Sequence, residues 1–210
     1  MKKQIYIYGA GGLGREVLAL LRRIGSWDIK GFIDDSQTAS HVRHVPVVGG
    51  MEQLKNIRDA FVVVAIGDPV LKKKIAARIP DNLVCEALID PDARLLAPSS
   101  VKIGRGSIIC AGVVITTEVQ IGDHVLINLN STVGHDCTIG SYSSIMPGSN
   151  IAGEVHLGEC VLVGSGSCIR NLVRVGDESK LGMGTVVLND VAPAQMIVGV
   201  PGRPKHLDKK

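Results

Sequence analysis

His135 and Asp136 stand side by side in the run Thr132-Val133-Gly134-His135-Asp136-Cys137. An imidazole with a carboxylate next to it can act as an oriented general base, because the acid fixes which ring nitrogen keeps its proton. Eighteen residues further on lies Gly153. A glycine N–H with no side chain in front of it suits an oxyanion developing on a carbonyl under attack. The competing reading is an exposed polar pair on a solvated wall. Two other histidines of the same region, His124 and His156, lack an acid directly after them and read as structural. His41, His44 and His206 have no defined neighbours.

A second constellation lies near the start of the chain. Gly9, Gly11, Gly12 and Gly14 follow the apolar run Gln4–Tyr8 and precede apolar residues at helical spacing from Gly14 to Ile24. Asp34 and Asp35 come about 20 residues later, after the apolar run Lys30–Ile33, as the dinucleotide fingerprint has it. Such glycines let the N–H groups of a helix N-terminus approach a diphosphate. Asp34 or Asp35 would then accept from ribose hydroxyls or a base N–H. Gly67, with Asp68, ends another strand pattern and predicts a place on the same ligand-binding edge. Residues 1–88 suffice for one mononucleotide-binding half, so a nucleotide diphosphate joined to a sugar fits better than a nicotinamide dinucleotide. A glycine turn serving only helix–strand packing is the remaining alternative.

The elements that must position these groups follow from periodicity. From Ile103 to Val187 an aliphatic residue recurs every sixth position, and the residue two before it is always Val, Ser, Cys or Thr. No α-helix keeps a six-residue aliphatic register over such a length. A hexapeptide repeat signals a parallel β-helix. Three hexads make a triangular coil of 18, and five coils would stand roughly 24 Å tall. Ile103-Gly104, Ile121-Gly122, Ile139-Gly140, Leu157-Gly158 and Val175-Gly176 recur once per coil, which predicts glycine at a tight corner. In this register His135 points outward, between Thr117 and Gly153, and Asp136 between Glu118 and Glu154.

Alternating strand and helix patterns over residues 1–88 predict a small Rossmann-like α/β domain, with strands at Phe61–Ile66 and Leu83–Leu88. Residues 89–210 form the second domain. A short helix is expected over Met51–Ile57 and another over Val70–Ile79, with Lys72, Lys73 and Lys74 as a solvated face. Leu126, Leu129, Leu162 and Leu172, outside the hexad register, leave apolar surface for a partner. The net charge of +3, from 23 Lys and Arg against 20 Asp and Glu, does not argue for nucleic acid. Five cysteines without metal spacing read as small core fillers, which fits a reducing cytoplasm. No run of the sequence predicts a signal peptide or a membrane span.

The glycine loop, FIDD, AIGDP, the solenoid with GHDC, and GVPGRP near the end together resemble one family. It is the bacterial sugar O-acyltransferases and nucleotide-amino-sugar N-acetyltransferases of the NeuD/PglD type, and the similarity spans nearly the whole chain. The resemblance implies a left-handed parallel β-helix and a homotrimer with acetyl-CoA between neighbouring solenoids. It implies catalytic His135, Asp136 and Gly153, and an acceptor nucleotide near Gly11, Gly12, Gly14, Asp34 and Asp35. It further points to Ser144, Gly153, Gly164, Gly182, Arg203 and Lys205 as the acetyl-CoA site, with Arg170, Arg174 and Lys180 as other cations for its phosphates. Some members carry a histidine where this chain has Leu13, and another where it has Ser144. N-acetylation of a nucleotide-linked amino sugar is the expected reaction. O-acetylation of a sialic-acid-type sugar and a non-catalytic scaffold are the alternatives. No metal site is expected, since His124, His135 and His156 share no column.

Overall fold

A computed structural model describes residues 2–205; His206 and the tail after it lie outside the described residues. The chain opens with β1 (Lys3–Tyr8), α1 (Gly12–Ile24) and β2 (Trp27–Ile33). A two-rung hairpin, β3 (His41–Val42) with β4 (Val45–Pro46), and a 3₁₀ turn over Met51–Asn56 lead to β5 (Ala60–Val64) and α2 (Pro69–Ala76). The sheet is parallel, in the order β2-β1-β5. α1 buries Val17, Leu18, Leu20 and Leu21 against it, and Gly25 closes the helix in the left-handed region at φ 75.

Two expectations about this domain are corrected. Leu83–Leu88 is not a fourth strand of the sheet: Val84 makes one bridge to Val62, and Leu88–Ile89 instead pairs with Ile108–Ile109 of the solenoid. Lys72 is not solvated. It is 2% exposed, between α2 and the solenoid wall.

The solenoid starts at Leu88, earlier than the hexad pattern shows, and has three faces. The docked face carries Leu88–Ile89, Ile108–Ile109, Leu126–Ile127, Ser144–Ile145, Leu162–Val163, Lys180–Leu181, Met196–Val198 and, antiparallel at its end, Arg203–Pro204. A second, nearly uncharged face carries Arg94–Leu95, Val114–Ile115, Thr132–Val133, Asn150–Ile151, Cys168–Ile169 and Val186–Val187. The third runs from Lys102–Ile103 to Arg174–Val175. The aliphatic hexad residues from Ile109 to Val187 fill the prism.

Small residues two places before them have a physical reason. Ser107 and Ser143 are fully buried; each hydroxyl donates to a carbonyl of the next coil (Gly122, Gly158; 2.9 Å) and accepts an N–H (Val125, Val161; 3.0 Å). A buried hydroxyl satisfied in this way stitches coils together without a polar deficit.

The corners also differ from expectation. From Ile109 to Val187, the residue at left-handed φ is the third before each aliphatic one, including Glu118, Asn130, Asp136, Gly148 and Glu154. The once-per-coil glycines are not left-handed. A Cβ on Gly122 would stand 2.7 Å from Ser141 N, and one on Gly158 2.8 Å from Asp177 N. They are glycine because the next coil passes over them.

The N-terminal domain sits on the docked face. Leu88, Ile108, Cys110 and Leu126 share a core with Ile5, Val17 and Leu20. Arg23 of α1 forks onto Asp90 at 2.9 and 3.0 Å and reaches Asp92 at 2.6 Å. Burial pushes Asp90 up, but the Arg23 guanidinium and the Asp92 N–H outweigh it and hold the carboxyl below its usual range. Among the described residues no helix is long and apolar enough to cross a membrane.

Candidate active site

His135 and Asp136 form the corner between the nearly uncharged face and the third face. Asp136 takes the left-handed position there at φ 58, which brings two consecutive side chains together on the outside of the turn. His135 Nδ1 and Asp136 Oδ2 are 2.8 Å apart. That contact selects the Nδ1–H tautomer and leaves the Nε2 lone pair free. Both side chains are 56% exposed, so the imidazole is open to a ligand.

Gly153 lies one coil on at the same corner. The backbone ladder joins the two coils there: Asp136 N donates to Thr117 O at 3.1 Å, and Glu154 N to His135 O at 2.7 Å. The imidazole occupies the place where a side chain at 153 would be, for a Cβ on Gly153 would lie 2.6 Å from His135 Cε1. No acceptor among the described residues takes the Gly153 N–H. Sequence reasoning missed Gly134: a Cβ on it would stand 2.6 Å from Gly153 N and cover that amide. The available signal was that Gly134 is the one glycine in a column with Thr116, Ala152 and Arg170.

The nucleotide candidates cluster at the carboxyl edge of the parallel sheet. Gly9 (φ 102) turns the chain out of β1, and Gly14 crosses so close to Gly9 O that no Cβ fits. Gly11 and Gly12 are exposed, with open space in front of them and no side chain capping α1. The first helical N–H to find a partner among the described residues is that of Arg15, donated to Gly11 O, which leaves the amides ahead of it unpaired, as an anion site would require.

Asp34 and Asp35 also hold the loops of this edge in place. Asp34 accepts from Ala10 N (2.7 Å), Ser36 N (2.9 Å), Ser36 Oγ (2.8 Å) and Gln37 N (3.0 Å). Burial pushes its carboxyl up, but these four donors prevail and hold it low. Asp35 accepts from Tyr8 OH and Met51 N, which hold it low as well. Both carboxylates shape the loops around the glycine turn, and Asp35, with two donors, keeps acceptor sites to spare. Gly67 lies at the same edge, against Met146 of the solenoid, whose Cε is 3.4 Å from the place of a Cβ on Gly67.

The expected acetyl-CoA residues do not gather at His135. Ser144 is 0% exposed, on the docked face, where its Oγ accepts from Lys72; the N-terminal domain seals it from any groove of this chain. Gly164 and Gly182 lie at the corner between the docked and nearly uncharged faces, one whole face from His135. Arg203 and Lys205 are exposed at the end of the docked face. Leu126 is covered by the chain's own N-terminal domain, so it offers no surface to a partner. His124 is buried and stacked on Tyr142, and His156 is half-buried on the third face.

Comparison with known proteins agrees with this architecture. Residues 4–79 match the PglD N-terminal domain family, residues 118–153 the bacterial transferase hexapeptide family, and residues 98–117 and 154–189 the hexapeptide repeat of succinyl-transferase. The GDP-perosamine N-acetyltransferase of Escherichia coli O157:H7 is 31% identical over 146 residues, which cover 64% of this chain and 63% of that protein. Among solved structures, the acetyltransferase domain of PglB from Neisseria gonorrhoeae FA1090 superposes with a TM-score of 0.91 at 30% identity, covering 97% of this chain and 100% of that one. The perosamine N-acetyltransferase of Caulobacter crescentus, solved as a histidine-to-asparagine variant with CoA and GDP-perosamine, gives 0.91 at 32% identity over 97% of both chains. The chain belongs to the PglD-type family of hexapeptide-repeat sugar acetyltransferases.

Proposed function

We propose that this protein transfers the acetyl group of acetyl-CoA to the amine of a nucleotide-linked amino sugar, directly and without an acyl-enzyme. His135 Nε2 takes a proton from the amine as its nitrogen attacks the thioester carbon. The C–N bond forms, the C–S bond breaks, and CoA leaves as the thiolate. Asp136 holds the ring in the productive tautomer, and the Gly153 N–H meets the charge that develops on the carbonyl oxygen. The observation that carries this reading is the open imidazole lying over an unpartnered amide, with its other nitrogen 2.8 Å from a carboxylate.

Relatives crystallised with acetyl-CoA, or with CoA and GDP-perosamine, support the co-substrate and the acceptor class. The nucleotide would rest on the glycine loop and the Gly67 edge. Arg170, Arg174, Lys180, Arg203 and Lys205 are the exposed cations for the phosphates of CoA.

The complete site spans two chains. Its base stands at one corner of the solenoid, while Gly164, Gly182 and the nucleotide edge beside Met146 stand at the other. The face between carries one charged residue at its outward strand positions, Arg94, and is rimmed on both sides by exposed apolar residues. Leu129 and Met183 (81% exposed) line one edge; Leu96, Leu172 (59%) and Leu188 line the other. Burying this face in a closed trimer would set His135 of one chain against the Gly67 side of the next.

Assays of CoA release and product mass with acetyl-CoA and GDP- or UDP-linked 4-amino sugars test the proposal. Acetylated nucleotide sugar is the expected product. Release only with sugars that lack an amine, or none with any acceptor, would overturn it.

A further inference from the structure

Among the described residues, Lys72 is the buried basic side chain that the transfer reaction leaves unexplained. It sits on the turn of α2 that follows the Gly67–Asp68–Pro69 edge, and Asp68 caps the same turn by accepting from Leu71 N at 2.8 Å. From there the Lys72 side chain crosses into the solenoid wall. Its Nζ donates to Ser143 O at 3.1 Å and to Ser144 Oγ at 2.9 Å. No carboxylate among the described residues pairs with it. Burial works against its charge, and Asp68 at the cap of α2 favours it. His124, stacked on Tyr142 at the same corner, feels the charge as a repulsion.

Burying an amine between two domains is costly unless its hydrogen bonds hold a geometry worth having. The geometry held here is specific. Ser143 and Ser144 follow His135 on the same coil, and the Cε of Met146, two residues on, stands 3.4 Å from where a Cβ on Gly67 would be. Neighbouring contacts are looser: Lys73 reaches Glu159 at 2.7 Å, but both side chains are about half exposed.

We propose that Lys72 is the positioning residue of the acceptor, fixing how far the Gly67–Asp68 edge of the nucleotide site stands from the docked face of its own solenoid, and so from the imidazole that the next chain presents to that edge. The idea rests on the nucleotide-sugar reading of that edge. Lys72 touches no reactant; it acts through the placement of α2. A displacement of the order of 1 Å at such a distance from the reacting atoms can cost about 10²-fold in rate.

The test replaces Lys72→Met, which keeps the stem and removes the amine, alongside Ser144→Ala, which removes one acceptor. The Lys72→Met protein is expected to fold, to keep its affinity for acetyl-CoA, and to lose about 10- to 100-fold in kcat/KM for the nucleotide sugar. Ser144→Ala should lose less, in the same direction, and the double variant little more than Lys72→Met. Amide hydrogen exchange over residues 67–76 should speed up in Lys72→Met while exchange around His135 stays unchanged.

Unchanged kcat/KM and unchanged exchange in a folded Lys72→Met protein would overturn the idea. If that variant does not fold, Ser144→Ala decides, and wild-type values there overturn it. A wild type that acetylates no nucleotide sugar defeats the proposed function instead, and the exchange comparison alone then decides whether Lys72 holds this edge.

Discussion

At the transfer corner, two glycines act through what they lack. Gly153 leaves room for the imidazole, and Gly134 leaves the Gly153 amide uncovered. Gly134→Ala should therefore lower kcat by about 10²-fold or more, the cost of a lost oxyanion donor, with little change in acetyl-CoA affinity by calorimetry. Wild-type kcat in that variant would remove the amide from the mechanism. His135, Asp136 and Gly153 were legible in the sequence because a coil of 18 places them on one corner. Gly134 was not, since its role depends on how closely one coil passes over the next. Asp34 and Asp35 lie where the sequence places them, beside the glycine turn, and carry a structural task that the sequence did not reveal. The fingerprint tells where an acid lies; the four donors around Asp34 tell that its oxygens are already taken.

Among the elements, the solenoid was readable almost coil by coil, because each hexad makes the same contacts as its neighbours. The exceptions came where one element meets a different kind of element. Leu83–Leu88 has the composition of a strand, yet its end pairs with the solenoid. Lys72, Lys73 and Lys74 look alike in sequence, and only docking against Ser143 and Ser144 separates the first from the others.

The two kinds of glycine make a stability test. Gly148→Ala (φ 70, open space) should cost about 1–2 kcal/mol, the penalty of the left-handed region. Gly140→Ala, whose Cβ would overlap the Gly158 and Glu159 backbone, should cost more in urea denaturation. Equal losses would contradict the separate roles given to them.

Burial pushes the Lys72 amine down to about 7, whereas an unfolded lysine titrates near about 10.4. Between those values the unfolded chain holds a proton that the folded chain lacks, so this group makes stability rise with pH from about 7 to about 10.4 and stay level below. Lys72→Met should flatten that rise in unfolding measured at several pH values. An unaltered slope would place the amine in contact with water.

For the whole molecule, the fold class and the order of its two parts were evident from periodicity. Which face of the prism meets a partner was not, because outward residues follow no repeat. The proposed face is the one rimmed by the exposed Leu96, Leu129, Leu172, Met183 and Leu188. If the site spans two chains, a His135→Ala chain and a Gly12→Asp chain should each be inactive alone. Mixed oligomers should recover activity, since one chain lends its nucleotide edge and the other its imidazole. Gly12 has open space for the new side chain, whose charge opposes a diphosphate. Absence of recovery in verified mixed oligomers would place the whole site within one chain.

The proposed task of the residue 135 imidazole is to remove the proton from the acceptor amine. Its most direct test is the turnover of His135→Ala with acetyl-CoA and the best nucleotide amino sugar, in protein shown to bind both. Loss of the base predicts a fall of about 10²–10⁴-fold in kcat with affinities retained. Turnover within a few-fold of the wild type would contradict it.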